Sequence, residues 1–138
     1  MGICRGSQIA SVALGYELIQ DIPFHLENDI GHSDTWHDIH LLPTTHSILK
    51  ETASKSDTLY VNSLHHQSVK FKEGGPLEIA ARSDDGITEA TEFKNGRGLL
   101  LQFHPELMEN NLGYQILSQV INTKNRLMPQ VCSQVFFP

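Results

Sequence analysis

Cysteine is scarce in this chain: the 138 residues hold two, Cys4 and Cys132, far apart in sequence. So few cysteines do not point to a disulfide framework, and a reduced, cytoplasmic setting is expected, with no Cys4–Cys132 bridge. Basic residues are few as well. Ten Lys and Arg stand against sixteen Asp and Glu, the net charge is −6, and no basic run occurs. That balance disfavours a phosphate backbone, so nucleic acid is not an expected partner. Nothing resembles a secretory leader or an unbroken apolar span of membrane length, so no membrane association is expected. No internal repeat or low-complexity segment divides the chain, and its length suits one domain with a real core.

What is present begins at the amino terminus, with MGICRGSQIASVALG. Residues Gln8 to Leu14 read as a helix, because Ile9, Val12 and Ala13 recur at helical spacing before Gly15 stops the run. Gly2 and Gly6 bracket Cys4. An elbow from strand through Cys4 into a helix would place the sulfur near unpaired backbone N–H groups, at the positive end of the helix dipole, where thiolate is favoured over thiol. Cys4 is therefore a candidate nucleophile. A small apolar cysteine is also ordinary core filler, so the motif gains weight only from its partners.

Further along, ELIQDIPFHLENDIGHSDT has no lasting period and reads as a long surface connection. WHDIHLLP alternates as a strand, with Trp36, Asp38 and His40 on one face and His37, Ile39 and Leu41 on the other. On a strand, His37 and His40 point to opposite sides, so the H-x-x-H pair is a poor zinc clamp and no metal is expected there. THSILKETA suggests a short helix capped near Thr45 or Ser47, and TLYVNSLHH a β-rich run. Leu77 to Arg82 and Ile87 to Phe93 read as a hairpin turning at Asp84-Asp85-Gly86. Leu99, Leu100, Leu101 and Phe103 form an apolar run suited to a strand covered on both faces, as in an α/β sheet. In the last helix Leu112, Ile116, Leu117, Val120 and Ile121 share a stripe. The tail from about residue 125 is unassigned.

Three segments bear chemistry: GICRG, VNSLHHQ and QFHPE. A cysteine nucleophile needs a base within hydrogen-bond reach, and the base needs a third group to hold its tautomer. His104 and Glu106 can supply both. They stand two apart at the end of a buried strand, with Pro105 stiffening the backbone between them. Open α/β folds keep their sites at the carboxyl edge of the sheet, where the Cys4 elbow would open too.

The patterns G-I-C-R-G-x-Q, V-N-S-x-H-H-Q and Q-F-H-P-E resemble the three signatures of the class I glutamine amidotransferase superfamily. The Arg after the cysteine, the ALG…QDIP stretch and the doubled histidine are most similar to γ-glutamyl-γ-aminobutyrate hydrolase-like proteins. The resemblance runs from Gly2 to about Leu107. It implies an α/β fold, the carboxyl-terminal half of a flavodoxin-like three-layer sandwich with an added β-hairpin, with residues 1–138 as one partial hydrolase domain. It also implies roles: Cys4 as nucleophile, His104 as general base, Glu106 as the residue that orients it, and the Arg5 backbone N–H as an oxyanion donor. By the same resemblance Gln8 contacts the glutamyl part of the substrate, and Asn62, Ser63, Leu64, His65 and His66 form a loop lining the pocket.

The implied activity is hydrolysis of small-molecule γ-glutamyl amides through a glutamyl thioester, with no cofactor and no metal. The alternatives are a glutamine amidotransferase subunit delivering ammonia to a synthase, and a non-catalytic truncated or split gene product. Family members usually carry a further half-domain before the cysteine. Here only Met1, Gly2 and Ile3 precede it, so a second chain or an amino-terminal half is expected to complete the sheet, and the isolated chain is expected to turn over poorly. Ser7, where the family tends to larger apolar residues, should thin the packing under the elbow, and Phe103, where tryptophan is common, should be tolerated.

Overall fold

The alternation read in residues 35–41 survives intact in the structure: His37, Ile39 and Leu41 are buried, while Trp36, Asp38 and His40 face outward. The structure is a computed structural model that describes residues 1–46, 48–53 and 56–127, with the side chains of 120 and 123–127 outside the description. Along the chain the elements are β1 (Gly2–Ile3), α1 (Arg5–Ala13), β2 (Glu17–Ile19), α2 (Ile22–His25), β3 (Thr35–Leu41), α3 (Ile48–Thr52) and β4 (Thr58–Ser63). There follow β5 (Ser68–Lys70), β6 (Leu77–Ser83), β7 (Thr88–Phe93), β8 (Leu99–Leu101), a 3₁₀ turn at Pro105–Leu107, and α4 (Asn111–Leu127).

Six strands form one mixed sheet in the order β1-β8-β7-β6-β3-β4, and β2 pairs with β5 separately. The β1–β8 pairing is parallel, and the other pairings are antiparallel. The expected hairpin is β6–β7, its turn closed by Gly86 at φ 86°, a left-handed conformation open to glycine. The leucine run is covered on both faces, as its continuous apolarity implied. Leu99, Leu101 and Phe103 join a cluster with Ile48, Leu49 and Ile116 from α3 and α4. Leu100 points the other way, into a cluster with Tyr16, Val69 and Leu77 that Ala10 of α1 and Leu18 of β2 also touch. The result is three layers: α3 and α4, the sheet, then α1 with the β2–β5 pair.

Three expectations are corrected, and the orientation of α1 is added to what the sequence showed. The segment after α1 is not a featureless connection, because β2 and β5 pair antiparallel and α2 buries Ile22 completely. Short elements of three and four residues leave too little periodicity to read. Helix α1 turns its apolar stripe outward: Ile9 is 63% and Val12 49% exposed, while Ser7, Gln8 and Ser11 are buried. Small and polar side chains are what the close helix–sheet approach and the glutamine network described below require. In α4, Ile116 is buried but Ile121 is 65% exposed, since the helix has by then run past the sheet's cover. Finally, Asn62 and Ser63 lie in strand β4 and not in a loop. Ser47, the tail from Met128 and Cys132 lie outside the described residues, and so does any pairing of Cys132. Among the described residues no helix is long and apolar enough to cross a membrane.

Glycine in a helix normally costs about 0.5–1 kcal/mol relative to alanine. Gly113 in α4 inverts that sign, because a Cβ there would collide with the Pro105 carbonyl oxygen and approach Met108 Cβ to 3.0 Å. Gly113→Ala is therefore expected to destabilise the chain by about 1–3 kcal/mol in a denaturant titration. An unchanged or raised midpoint would refute this account of how α4 seats on the 3₁₀ turn.

Candidate active site

Cys4 follows β1 directly and occupies the N-cap of α1 with φ 46° and ψ −109°. A non-glycine residue at that positive φ is strained, and such strain is found where a side chain must be thrust out between a strand and a helix. The strain is held from both sides. The Cys4 N–H donates to the Leu101 carbonyl at 2.7 Å, and the Gln8 N–H donates to the Cys4 carbonyl at 3.1 Å. Gly2 permits the close approach, since a Cβ there would lie 2.9 Å from both the Gly6 oxygen and Leu100 Cδ2.

Because β1 and β8 run parallel with Gly2 opposite Leu100 and Ile3 opposite Leu101, both strands end at the same edge. Cys4 leaves one strand there, and Gln102, Phe103 and His104 leave the other. His104 Nδ1 and Glu106 Oε1 are 2.7 Å apart, and the ring and the carboxylate are partly open to solvent. With Nδ1 donating to the carboxylate, Nε2 keeps its lone pair for a proton. Asn62 grips the backbone behind the ring: its Nδ2 donates to the His104 carbonyl and its Oδ1 accepts from the His104 N–H, each at 2.9 Å.

The sulfur's side-chain hydrogen bond is to Gln102 and not to His104. Gln102 Nε2 donates to Cys4 Sγ at 3.6 Å, and Gln102 Oε1 accepts from Gln8 Nε2, which also donates to the Gln67 carbonyl. Gln8 is thus tied into a buried chain of amides. Gln102 was missed in the sequence; it follows β8 as Cys4 follows β1, and the parallel pairing of those strands brings the two side chains together. The expected depression of the thiol pKa is also corrected. Burial pushes the Cys4 thiol above its ordinary value, and the Glu106 and Glu89 charges add to that. The Arg5 backbone N–H and guanidinium oppose the shift and lose.

The remaining expected residues separate. Ser63 is buried and its hydroxyl donates to the His32 carbonyl. His65 is buried among His32, His37 and Glu89, behind the edge. His66 and Leu64 are exposed, and the His66 carbonyl accepts from the Ile22 N–H. The VNSLHHQ segment thus serves the site chiefly by holding His104 from behind. Beside the edge runs an open groove of about 570 Å³ lined by Arg5, Gln8, Ile9, Leu18, Gln20 and Gln67, among others, and neither Cys4 nor His104 lines it.

Residues 1–106 match the Peptidase C26 family, and the chain belongs to it. The glutamine amidotransferase-like protein YvdE of Lactococcus lactis is 35% identical over 111 residues, which are 77% of this chain and 45% of that protein. Anthranilate synthase component 2 of Azospirillum brasilense is 25% identical over 128 residues, covering 92% of this chain and 59% of that protein. Among solved structures, a GMP synthase subunit from Thermoplasma acidophilum superposes with a TM-score of 0.71 at 17% identity, over 91% of this chain and 56% of that one. The chain spans about half the length of the curated relatives it matches. The fold is that of class I glutamine amidotransferases, as the three signatures led one to expect.

Two outcomes follow. With its pKa raised, Cys4 should be mostly thiol at neutral pH, so iodoacetamide labelling should be slower than for a free cysteine and still accelerate above pH 8.5. A rate already at its plateau by pH 7 would contradict this. Asn62→Ala should broaden or shift the His104 ring signals in an NMR titration, because two backbone hydrogen bonds worth about 1 kcal/mol each are lost behind it. Unchanged ring signals would remove Asn62 from the site.

Proposed function

We propose that this chain forms the nucleophile-bearing half of a cysteine-dependent hydrolase of small γ-glutamyl amides. Residues 1–138 would supply the carboxyl-terminal part of the domain, with the outer edge of β1 and the outward apolar stripe of α1 covered by an amino-terminal half or a second chain. Among the described residues β1 is an edge strand with β8 alone beside it, which supports that reading. Cys4 Sγ attacks the γ-carbonyl carbon as His104 Nε2 takes the thiol proton. The resulting oxyanion is met by the Arg5 N–H, and His104 returns the proton to the leaving amine as the C–N bond breaks. Water, deprotonated by His104, then cleaves the thioester to release glutamate and restore the thiol. Glu106 keeps the proton on Nδ1 and steadies the imidazolium. No step calls for a cofactor.

The observation that carries the proposal is the parallel β1–β8 pairing, which brings the strained Cys4 elbow and the 2.7 Å His104–Glu106 pair to one edge. For the base to take the thiol proton, Cys4 must exchange Gln102 for His104; in unliganded enzymes catalytic hydrogen bonds are often long or poorly aligned. Gln8 and Gln102 offer amide groups within reach of the glutamyl head. The second reading, a glutaminase subunit feeding ammonia to a synthase, uses the same residues and is favoured by the similarity to anthranilate synthase component 2.

The test is to supply the amino-terminal half of a full-length relative in cis or in trans and compare glutamate release from γ-glutamyl amines and from glutamine. Hydrolysis of γ-glutamyl amines should dominate, with a γ-glutamyl adduct on Cys4 visible by mass spectrometry after acid quench. Cys4→Ala and His104→Ala should each lower turnover by on the order of 10⁴ or more, and Glu106→Gln by less. Selectivity for glutamine that appears only with a synthase present would favour the second reading. Turnover surviving Cys4→Ala would end both.

A further inference from the structure

We propose that His32, His37, His65 and Glu89 form a structural site for a first-row divalent transition cation of the zinc class. The four residues come from separate segments: the connection before β3, β3 itself, the turn after β4, and β7. All four are buried, with Glu89 fully so. Their inward atoms, one from each residue, lie within 4.8 Å of one another. Glu89 Oε1 stands 3.2 Å from His32 Nδ1, 3.6 Å from His65 Nε2 and 3.7 Å from His37 Nε2. Metal bonds of about 2.0–2.1 Å in a tetrahedron separate ligand atoms by about 3.3 Å, so small side-chain adjustments suffice.

The outward nitrogens settle what the inward ones present. His37 Nδ1 lies 3.2 Å from the Asp38 carbonyl and His65 Nδ1 lies 3.0 Å from the Gln67 carbonyl. A carbonyl only accepts, so each Nδ1 carries the proton and each Nε2 turns a bare lone pair inward. His32 Nε2 faces Asp85 Oδ2 at 2.9 Å, so in the neutral ring with its proton on Nε2 the Nδ1 also turns a lone pair inward, as a bound cation would require. Three lone pairs and a carboxylate therefore converge. His32 Nδ1, His37 Nε2, His65 Nε2 and both Glu89 oxygens have no hydrogen-bond partner, five of the seven such buried side-chain atoms among the described residues. Native interiors rarely leave even a few polar atoms orphaned, so five in one place require a cause. A proton can join one pair of acceptors, whereas a cation satisfies all four.

The surrounding charge fits the same conclusion. Glu89 and Asp85 together balance a divalent charge, and the Asp85–His32 pair is the carboxylate–histidine arrangement that orients metal-binding imidazoles. Four protein ligands and no open position describe a structural site, not a catalytic one. A neighbouring trio, Asp29, His32 and Asp85, is the weaker candidate, because the Gly31 N–H already satisfies Asp29 and the N–H groups of Ile30 and Ile87 satisfy Asp85. His37 and His40 do not share a ligand set, as strand alternation requires; His32 precedes His37 by five residues, while His65 and Glu89 are distant in sequence.

The test titrates the chelator-treated 138-residue chain with zinc by calorimetry and elemental analysis. One zinc per chain is expected, with Tm raised by about 5 °C or more at saturation. Cobalt(II) substitution should give the intense visible bands of a tetrahedral site. Asp85→Asn should weaken zinc binding about 10–100-fold and His37→Ala should abolish it, while the exposed His40→Ala leaves it unchanged. If His37→Ala fails to fold, the wild-type stoichiometry and the cobalt spectrum decide alone. A folded wild-type chain that takes up no stoichiometric zinc, or octahedral cobalt bands, would overturn the proposal in favour of a purely protonic network.

Discussion

The parallel pairing of β1 with β8 is the constraint on which the rest of this structure depends. Only two residue pairs define it, Gly2 with Leu100 and Ile3 with Leu101, extended by the Cys4 N–H bond to Leu101. In an otherwise antiparallel sheet, that pairing makes two chain segments nearly one hundred residues apart end at the same edge. A one-residue slip would turn Leu100 toward the α3–α4 side and remove Gln102 from the cysteine. The register is specified because three consecutive leucines must divide between two separate cores. The hydrophobic packing of β8 and the placement of the sulfur are thus one and the same requirement.

Behind that edge the site rests on buried polar bonds. Asn62 clamps the His104 backbone, the Ser63 hydroxyl and the His65 N–H both reach the His32 carbonyl, and the Gln102 N–H reaches the Glu89 carbonyl. The imidazole–carboxylate cluster and the edge that carries Cys4 and His104 are joined through neighbouring residues of β4 and β7. Ordering the cluster would order the backbone that carries His104. Buried polar groups of this kind cost heavily when unpaired, so the arrangement favours a single conformation over many.

Legibility in the sequence followed the strength of local pattern. Strand β3, the β6–β7 hairpin and the β8 run were readable because alternation, a turn at Asp84-Asp85-Gly86, and unbroken apolarity each have one structural meaning. His104 and Glu106 were readable as a pair because they stand two apart at a strand end, and the structure holds them 2.7 Å from one another. What escaped was whatever depends on contact between distant segments: Gln102 beside Cys4, the Asn62 clamp, and the convergence of His65 and Glu89 on His32 and His37. The direction of the α1 stripe was not legible for a physical reason. Helical periodicity reports that one face is apolar but not which neighbour it meets, and in α1 the sheet-facing side is the polar one.

The central claim is that the parallel pairing of β1 with β8 brings residues 4 and 102, just past the two strand ends, side by side, and it is open to one direct measurement. In a Cys132→Ser background, Gln102→Cys places a second thiol beside Cys4, where parallel strand neighbours can approach closely enough for a disulfide if the strands pair as described. The account predicts a near-complete intramolecular bond under mild oxidation, seen by mass spectrometry, with the chain still folded. Two free thiols in a folded, oxidised sample would contradict it.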